Sequence, residues 1–295
     1  MATPSIPGLL QLLPQLASEQ TAFDYLLSKN VLAPPKKCVF CQSLRITVKE
    51  KPMLYRCLDC KKCFSMLRNT FFSNAKLPLN EILLFAYQWL IRTPNLGLLT
   101  IFQGMSCTTA TNWTNHFAQL VALDLTAIET KIGGPDVVVE IDESKFGKRM
   151  YNRGHRIEGV WVVGGVERTP ERRMFVVRVD DRSAQTLMHI IHAYVAEGSI
   201  VHTDCWKGYN TTEMNKMQVY HQQVNHTLGF VDPDTGVHTN TIEGTWAGMK
   251  MKVHKRQRTK ELVENHLFRI IWERYHKDRL WEQLLCAIGS TRYAE

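Results

Sequence analysis

Apolar residues recur at helical spacing through the first part of the chain. Over residues 1–35 they predict a helical lead-in that is interrupted at Pro14 and ends at Pro34-Pro35. Its apolar face packs either on its own domain or on a second copy of the chain. The run Leu79–Arg92 predicts a longer amphipathic helix, which Thr93-Pro94-Asn95 breaks.

The segment after this helix is typical of a helix-turn-helix. A second short helix is predicted up to about Gln103, and Gly104-Met105-Ser106 predicts a turn in which Ser106 caps a long third helix. Three polar residues at the start of that third helix are candidates for contacting a DNA groove, namely Thr108, Thr109 and Asn112. Any three-helix bundle has the same outline, so both interpretations stay open.

The pattern changes to strands after Gly133-Gly134-Pro135, which predicts a linker and a domain boundary. Short runs rich in β-branched residues predict five strands, at Val137–Asp142, Arg156–Val166, Arg173–Val179, Ser199–Thr203 and, weakly, Val219–Val224. Helices are predicted at Ala184–Val195, from about Asn240, and at Thr259–Ile288. Three strands, a helix and a parallel return indicate an α/β sheet in which the first and fourth strands are neighbours.

Two CxxC pairs lie near the N-terminus. Cys38-x2-Cys41 and Cys57-x2-Cys60 are separated by fifteen residues, a spacing typical of a structural four-cysteine zinc site with a β-hairpin between its two turns. Unrelated buried thiols are the alternative. Cys63 is a spare thiol that leaves an exchange with Cys57 or Cys60 open. The Lys and Arg residues around the site favour DNA binding by this ribbon over a purely structural role.

The composition is that of a basic globular protein. Of its 295 residues, 36 are Lys or Arg and 28 are Asp or Glu, which gives a formal net charge of +8. The excess favours a polyanionic partner, although many enzymes are equally basic without binding nucleic acid. We expect no transmembrane helix and no secretory signal. With eight Cys and no export signal, a reducing compartment is expected, where clustered Cys indicate metal rather than disulfides.

Three acidic residues stand beside these apolar segments. Asp142 ends the first predicted strand, Asp204 ends the fourth, and Glu243 lies near the start of the helix that opens at Asn240. A carboxylate at the end of a buried strand is costly to desolvate unless a positive group compensates it. Together the three predict an anionic cluster suited to a hard divalent cation with oxygen ligands. Each acid taken alone is explained as a turn residue, a helix cap or a solvated helix face.

Basic residues and histidines surround the third acid. Lys250 shares the predicted helix face of Glu243 and is either a phosphate contact or an ordinary solvated lysine. The densest basic run follows, and its candidates for DNA contact are Lys250, Lys252, Lys255, Arg256 and Arg258. The alternatives for this basic run are a nuclear localisation signal and a solvated helix end. Three histidines near the cluster are more often structural than functional: His202, His226 and His238.

Three motifs in combination resemble the Merlin transposases and the bacterial insertion-sequence transposases with an ISXO2-like DDE domain. The motifs are Ile141-Asp142-Glu143-Ser144-Lys145-Phe146, His202-Thr203-Asp204-x3-Gly208-Tyr209 and His238-Thr239-Asn240-x-Ile242-Glu243-x2-Trp246-x3-Lys250. The zinc ribbon and the stretches 68–72 and 76–79 fit the N-terminal half of that family as well. The resemblance therefore covers roughly residues 36–275.

The resemblance implies a ribonuclease-H-like catalytic domain with a mixed sheet flanked by helices, and a cut-and-paste DNA transposase. Its catalytic, metal-binding acids would be Asp142, Asp204 and Glu243, holding two Mg²⁺ or Mn²⁺ ions, with one structural Zn²⁺ in the ribbon. Some bacterial relatives use the Asn of the last motif, here Asn240, as the third member. Two rival hypotheses are a catalytically silent DNA-binding regulator and a nuclease that only hydrolyses.

The implied partners are terminal inverted repeats, target DNA and at least one further copy of the chain. The expected location is the nucleus of a eukaryotic cell, or otherwise the DNA in the cytoplasm. The predicted organisation has five parts: a lead-in at 1–35, a zinc ribbon at 36–72, a helix-turn-helix-type domain at 73–132, the catalytic domain at 136–278 and a C-terminal helix end and tail at 279–295.

Overall fold

A computed structural model describes residues 5–49, 53–93, 104–128, 131–147, 159–227 and 229–293. The chain divides into two compact units. One unit comprises Met1–Val121 with His276–Glu295, and the other comprises Ala122–Tyr275. The predicted second helix of the helix-turn-helix, up to Gln103, lies outside the described residues.

The described residues include nine α-helices and ten strands. The helices are α1 (Leu9–Leu12), α2 (Glu19–Ser28), α3 (Leu79–Leu90), α4 (Cys107–Thr126), α5 (Ala184–Tyr194), α6 (Thr211–Lys216), α7 (Asn240–Lys252), α8 (Val263–Tyr275) and α9 (Leu280–Ser290). The strands are β1 (Ile46–Val48), β2 (Leu54–Cys57), β3 (Cys63–Ser65), β4 (Ile132–Gly133), β5 (Val138–Phe146), β6 (Val160–Glu167), β7 (Met174–Val179), β8 (Val195–Ala196), β9 (Ile200–Asp204) and β10 (Tyr220–Val224). Two 3₁₀ turns, Leu13–Leu16 and Lys255–Gln257, follow α1 and α7.

Serine side chains cap the N-termini of α4 and α5, and the sequence predicts the first of these caps. The backbone N–H of Thr109 donates to the Ser106 hydroxyl at 3.1 Å, which confirms Ser106 as the cap of α4. Ser183 caps α5 in the same way through Thr186. Within the first unit, α3 and α4 contribute Phe85 and Phe117 to a cluster of stacked and tilted aromatic rings.

The second unit is built on a mixed five-stranded sheet with the order β10-β9-β5-β6-β7. β5, β6 and β7 are antiparallel neighbours, whereas β9 and β10 run parallel to β5. The prediction that the first and fourth strands of this region are neighbours is confirmed. Apolar residues of the sheet and α5, including Ile141, Leu187 and Val201, form one buried cluster. Trp246 of α7 contacts Asp142, which lies on the opposite face of β5 from Ile141.

Two predicted boundaries are wrong. Asp142 does not end its strand, because β5 continues to Phe146 through its antiparallel pairing with β6. The single helix predicted at Thr259–Ile288 is two helices, α8 and α9, with a polar turn between them in which the N–H of Arg279 donates to the His276 carbonyl. Apolar spacing is similar on both sides of that turn, so periodicity alone does not reveal the break.

Candidate active site

Asp142 and Asp204 lie close together at the point where β5 and β9 stop pairing. The parallel ladder runs from Val138↔Ile200 to Glu140↔His202, and each Asp lies two residues beyond the last pair on its own strand. Their carboxylates are near enough for mutual repulsion to contribute to the pKa of Asp142. The structure therefore brings together the two acids that the sequence analysis places on neighbouring strands.

The Asp142 carboxylate is partly buried, and nearby acids outnumber nearby cations. Burial is the largest cause that raises its pKa to about 7, and repulsion from Glu143 and Asp204 adds to the effect. Two donors oppose the shift: the backbone N–H of Glu143 at 2.7 Å from Oδ1 and the indole N–H of Trp246 at 3.0 Å from Oδ2. Oxygen ligands with excess negative charge are the donor set that fits a hard divalent cation.

This pKa predicts a pH-dependent effect of divalent ions on stability. Between its ordinary value near 3.8 and about 7, Asp142 holds a proton in the folded state that the unfolded state lacks, so its contribution to stability falls as pH rises. Ion binding needs the carboxylate. We expect Mn²⁺ to raise the Tm more at pH 8 than at pH 6, in a thermal melt. The same pH dependence in Asp142→Asn would contradict this assignment.

Glu143 is a third carboxylate beside the pair, and the sequence analysis missed it. Its side chain is 5% exposed and lies 3.6 Å from the Arg182 guanidinium. It also accepts a hydrogen bond from the Tyr209 hydroxyl. Burial is the main cause that raises its pKa, and repulsion from Asp204 contributes. Alternation along a strand predicts opposite faces for Asp142 and Glu143, so the sequence gives no reason to group them.

Glu243 lies in the first turn of α7, and within the described residues it does not form a cluster of metal-ligating side chains with Asp142 and Asp204. It is exposed, accepts the Thr239 hydroxyl at 3.2 Å and lies 3.7 Å from Nε2 of His226. Two other residues of α7 act on Asp142, Trp246 by a hydrogen bond and Lys250 by its charge. Positions 243, 246 and 250 share one helix face. The metal-binding role of Glu243 stays a prediction, as does that of Asn240.

A buried acid holds α7 against the sheet. Glu140 is fully buried on β5, and its Oε2 accepts the backbone N–H groups of Thr241 and Ile242 at 2.7 and 2.9 Å. Its Oε1 lies 2.5 Å from Arg168 and 3.4 Å from His238. A carboxylate at a helix N-terminus satisfies free N–H groups and opposes the helix dipole. Glu140 therefore fixes the helix that presents Trp246 to Asp142.

The indole of Trp246 has room because a glycine lies beneath it. A Cβ built on Gly164 of β6 would lie 2.6 Å from Cη2 of Trp246, closer than any real side chain tolerates. Gly164 pairs with Asp142 across the antiparallel ladder. The absence of a side chain there lets the indole cross the strand and reach the Asp142 carboxylate.

The three histidines and Lys250, which the sequence analysis places near the acids, contact different parts of this unit. His202 is buried and its pKa is lowered mainly by burial, His238 contacts Glu140, and His226 contacts Glu243. The Lys250 ammonium lies 5.5 Å from the Phe146 ring centroid, and burial is the main cause that lowers its pKa.

The basic run is partly engaged within the protein. Arg258 donates to the carbonyls of Val253 and Lys250, and Lys252 lies 3.6 Å from Glu273. Lys255 and Arg256 are exposed in the 3₁₀ turn. Exposed cations at this place are suited to DNA phosphates, and Arg258 is better suited to fixing the turn that carries them.

The four predicted zinc ligands converge in the first unit. Within the parts of the chain that the structure describes, the ligand atoms of Cys38, Cys41, Cys57 and Cys60 all lie within 4.8 Å of one another. The Sγ atoms are 3.7 Å apart for Cys38 and Cys60 and 3.5 Å apart for Cys41 and Cys57. β1, β2 and β3 form an antiparallel sheet here. This arrangement fits a zinc ribbon, and Cys63 lies outside the cluster.

One thiol of this cluster, that of Cys57, is biased toward ionisation, whereas burial and hydrogen bonds with the neighbouring thiols raise the pKa of Cys60 to about 12. Burial opposes ionisation of Cys57, but hydrogen bonds from the backbone N–H groups of Cys60 and Asp59 and from neighbouring thiols lower its pKa to about 6. A thiolate is the form that binds zinc.

Removing one ligand is expected to release the ion. Cys60→Ser should lose zinc and lower the Tm of the first unit, because a structural zinc site contributes folding free energy directly. Metal content by atomic absorption and a thermal melt measure both. Cys63→Ser is the matched control and should keep one zinc per chain; loss of zinc from the control alone would show that Cys63 is a ligand.

The start of α4 lies beside a polar cleft of about 430 Å³. Thr109 and Asn112 line it together with Lys76, His116 and Tyr293. Thr108 and Asn112 are exposed, and Thr109 is partly occupied by the cap at Ser106. Because the preceding helix lies outside the described residues, the helix-turn-helix stays a prediction.

Comparison with known families agrees with the position of this site. Residues 130–267 match the family model of the ISXO2-like transposase domain, a range that contains all three predicted acids. No match is found among curated proteins. The family match supports a DDE transposase family and suggests a transposase, a DNA-cleaving enzyme that binds DNA. Among the helices of the described segments, none is long and apolar enough to cross a membrane.

Proposed function

We propose that this chain is a cut-and-paste DNA transposase of the Merlin type, which binds terminal inverted repeats, cleaves DNA and joins 3′-hydroxyl ends to target DNA. The observation that carries the proposal is the convergence of Asp142 and Asp204 where the β5–β9 ladder ends. Three antiparallel strands followed by two strands parallel to the first support a ribonuclease-H-like fold for this domain. The family match favours an active transposase over a silent regulator.

Asp142, Asp204 and Glu243 would hold the catalytic Mg²⁺ or Mn²⁺ ions. The donor set fits, since the pair of Asp residues offers oxygen ligands, and burial and repulsion from Glu143 and Asp204 raise the pKa of Asp142. When bound, the ions neutralise charge at the phosphate, activate the attacking hydroxyl and stabilise the leaving oxygen. Glu243 is on the helix face of Trp246, which contacts Asp142, so we place it on the side of α7 that faces the pair.

The protein's own part in this chemistry is positioning. The indole N–H of Trp246 donates a hydrogen bond to Oδ2 of Asp142 and thereby fixes the orientation of that carboxylate. Glu140 fixes the N-terminus of α7, so Glu243 and Lys250 keep their place relative to β5. Lys250 would contact a phosphate beside the reacting one, because its ammonium lies near Asp142 and is only partly buried. Phosphoryl transfer depends mostly on such positioning and charge neutralisation.

DNA would be held mainly outside the carboxylate site. The basic ribbon around the four-cysteine cluster, the start of α4 and the exposed cations Lys252, Lys255 and Arg256 are the proposed contacts. A transposase brings two DNA ends together, so we propose at least a homodimer, acting in the nucleus if the source is eukaryotic.

A nicking assay tests the proposal. A labelled duplex that carries the end of the DNA element encoding this chain is incubated with purified protein in Mg²⁺, in Mn²⁺ and in EDTA. Metal-dependent nicks at the element's end are expected. Cleavage that persists in EDTA, or none in either metal despite DNA binding, would refute the proposed chemistry.

A further inference from the structure

Beside the two Asp residues lies a group of aromatic and cationic side chains that the proposed chemistry does not use. The Arg182 guanidinium carbon lies 3.7 Å from the centroid of the Trp161 ring and 4.9 Å from that of the Trp206 ring. The Lys145 ammonium lies 5.4 Å from the Trp161 ring. Arg182 also faces Glu143, so the group borders the carboxylates directly.

Trp206 is the exposed member of this group and is tied to the candidate active site. Trp206 is 41% exposed, so part of its surface is open to a ligand. Its backbone N–H donates to Oδ1 of Asp204 at 2.9 Å. A nucleotide whose phosphate reached Asp204 would therefore bring a neighbouring base within range of this ring.

The indole is also held in place before any ligand arrives. A Cβ built on Gly208 would lie 2.7 Å from Nε1 of Trp206 and 2.8 Å from its Cδ1, so the ring lies directly on the backbone of Gly208. Arg182 restrains it from another side. An immobilised aromatic face with cations around it is the kind of surface on which nucleic-acid bases stack.

We propose that Trp206, held by Gly208 and Arg182, is a stacking platform for the DNA base next to the reacting phosphate. The inference deepens the proposed function and rests on it. Trp206 is a positioning residue in this account: it fixes the strand so that the phosphate meets Asp142 and Asp204. Arg182 adds positive charge that attracts the strand, and its contact with Glu143 holds it beside the two Asp residues.

A binding cycle between protein and DNA variants tests this inference. Affinity is measured with Ca²⁺ in place of Mg²⁺, so that binding is separated from cleavage, on a series of duplexes that each carry one abasic nucleotide near the element's end. Loss of one base stack is expected to weaken binding by roughly ten- to a hundredfold. At one position in the duplex, the abasic nucleotide and Trp206→Ala should each cause this loss of affinity. Combined, the two changes should weaken binding no more than either change alone.

Three further variants separate stacking from folding. Trp206→Phe should keep most of the affinity. Gly208→Ala should lose part of it by displacing the ring; because the added Cβ would also lie 2.8 Å from the buried Leu187 side chain, its Tm is measured alongside. Tyr220→Ala is the matched control, because Tyr220 is 64% exposed and pairs with Ile200 at the end of β9 remote from Asp204. It should bind like the wild type.

The outcomes distinguish this inference from the proposed function. Losses that add at every abasic position, or an unchanged affinity in Trp206→Ala, would overturn the stacking platform even if the wild type nicks DNA. A coupled loss at one position in a protein that nicks nothing would keep the platform and reject the transposase.

Discussion

Replacing Asp142 or Asp204 with Asn is expected to abolish DNA cleavage, by about a thousandfold or more, while DNA binding stays within a few-fold. Asn keeps the size of the side chain but removes the charge that would hold a divalent ion. The proposed DNA contacts lie mainly in the ribbon, the start of α4 and the basic run, so affinity should survive. Nicking rates and fluorescence anisotropy on the same duplex measure the two effects.

A control variant makes this result specific. Asp234 is exposed in a loop of the same unit, so Asp234→Asn removes one negative charge without touching the site. It should cleave at the wild-type rate. If binding or the Tm fell in step with cleavage in the Asp142 and Asp204 variants, these residues would be needed for folding rather than for chemistry.

Replacing Glu140 with Ala is expected to lower the free energy of unfolding by about 3–5 kcal/mol, the usual cost of leaving a buried partner uncompensated. Arg168 and the N–H groups of Thr241 and Ile242 would lose their acceptor. Cleavage should also fall, since α7 would no longer be anchored beside Asp142. Denaturant unfolding gives the first quantity, and nicking at a temperature where the variant is folded gives the second.

Glu167 provides the matched comparison for Glu140. It is a buried acid at the end of β6 that pairs with Arg173 at 2.8 Å and accepts a hydrogen bond from the Gly133 N–H. Its other carboxylate partner within the described residues is the Thr169 hydroxyl, and none of these three residues belongs to α7. Glu167→Ala should therefore lose stability but keep cleavage in the folded fraction. Equal loss of cleavage in both variants would mean that Glu140 acts through general stability and not through α7.

Several features of the fold and of the candidate sites follow from the sequence because they depend on local pattern. β-branched runs locate β5, β7 and β9, and the order of strands and α5 predicts that β5 and β9 are parallel neighbours. That relation is enough to bring Asp142 and Asp204 together. The four-cysteine cluster likewise follows from spacing alone, since two tight turns joined by a hairpin leave the thiols little freedom.

Other features depend on partners remote in sequence, which a single chain does not reveal. In the sequence, Glu140 resembles any other acidic residue in a strand. The backbone N–H groups that donate to it lie about a hundred residues away, at the start of α7. Glu143 joins the acidic site through Tyr209 and Arg182, which no motif spacing connects to it. Glu243 is an exposed residue of α7, and helical periodicity does not determine where its side chain lies relative to the Asp pair.

Joining of a DNA end to a target separates a transposase from a nuclease that only hydrolyses and from a DNA-binding regulator. A pre-cleaved DNA end with a free 3′-hydroxyl is incubated with a plasmid target and the protein in Mg²⁺ or Mn²⁺, with EDTA and Asp204→Asn as controls. We expect covalent joining of the end to the plasmid by the wild type in the presence of metal, and none in either control. Tight DNA binding without joining in both metals would contradict the proposed transposase activity and would favour a DNA-binding regulator.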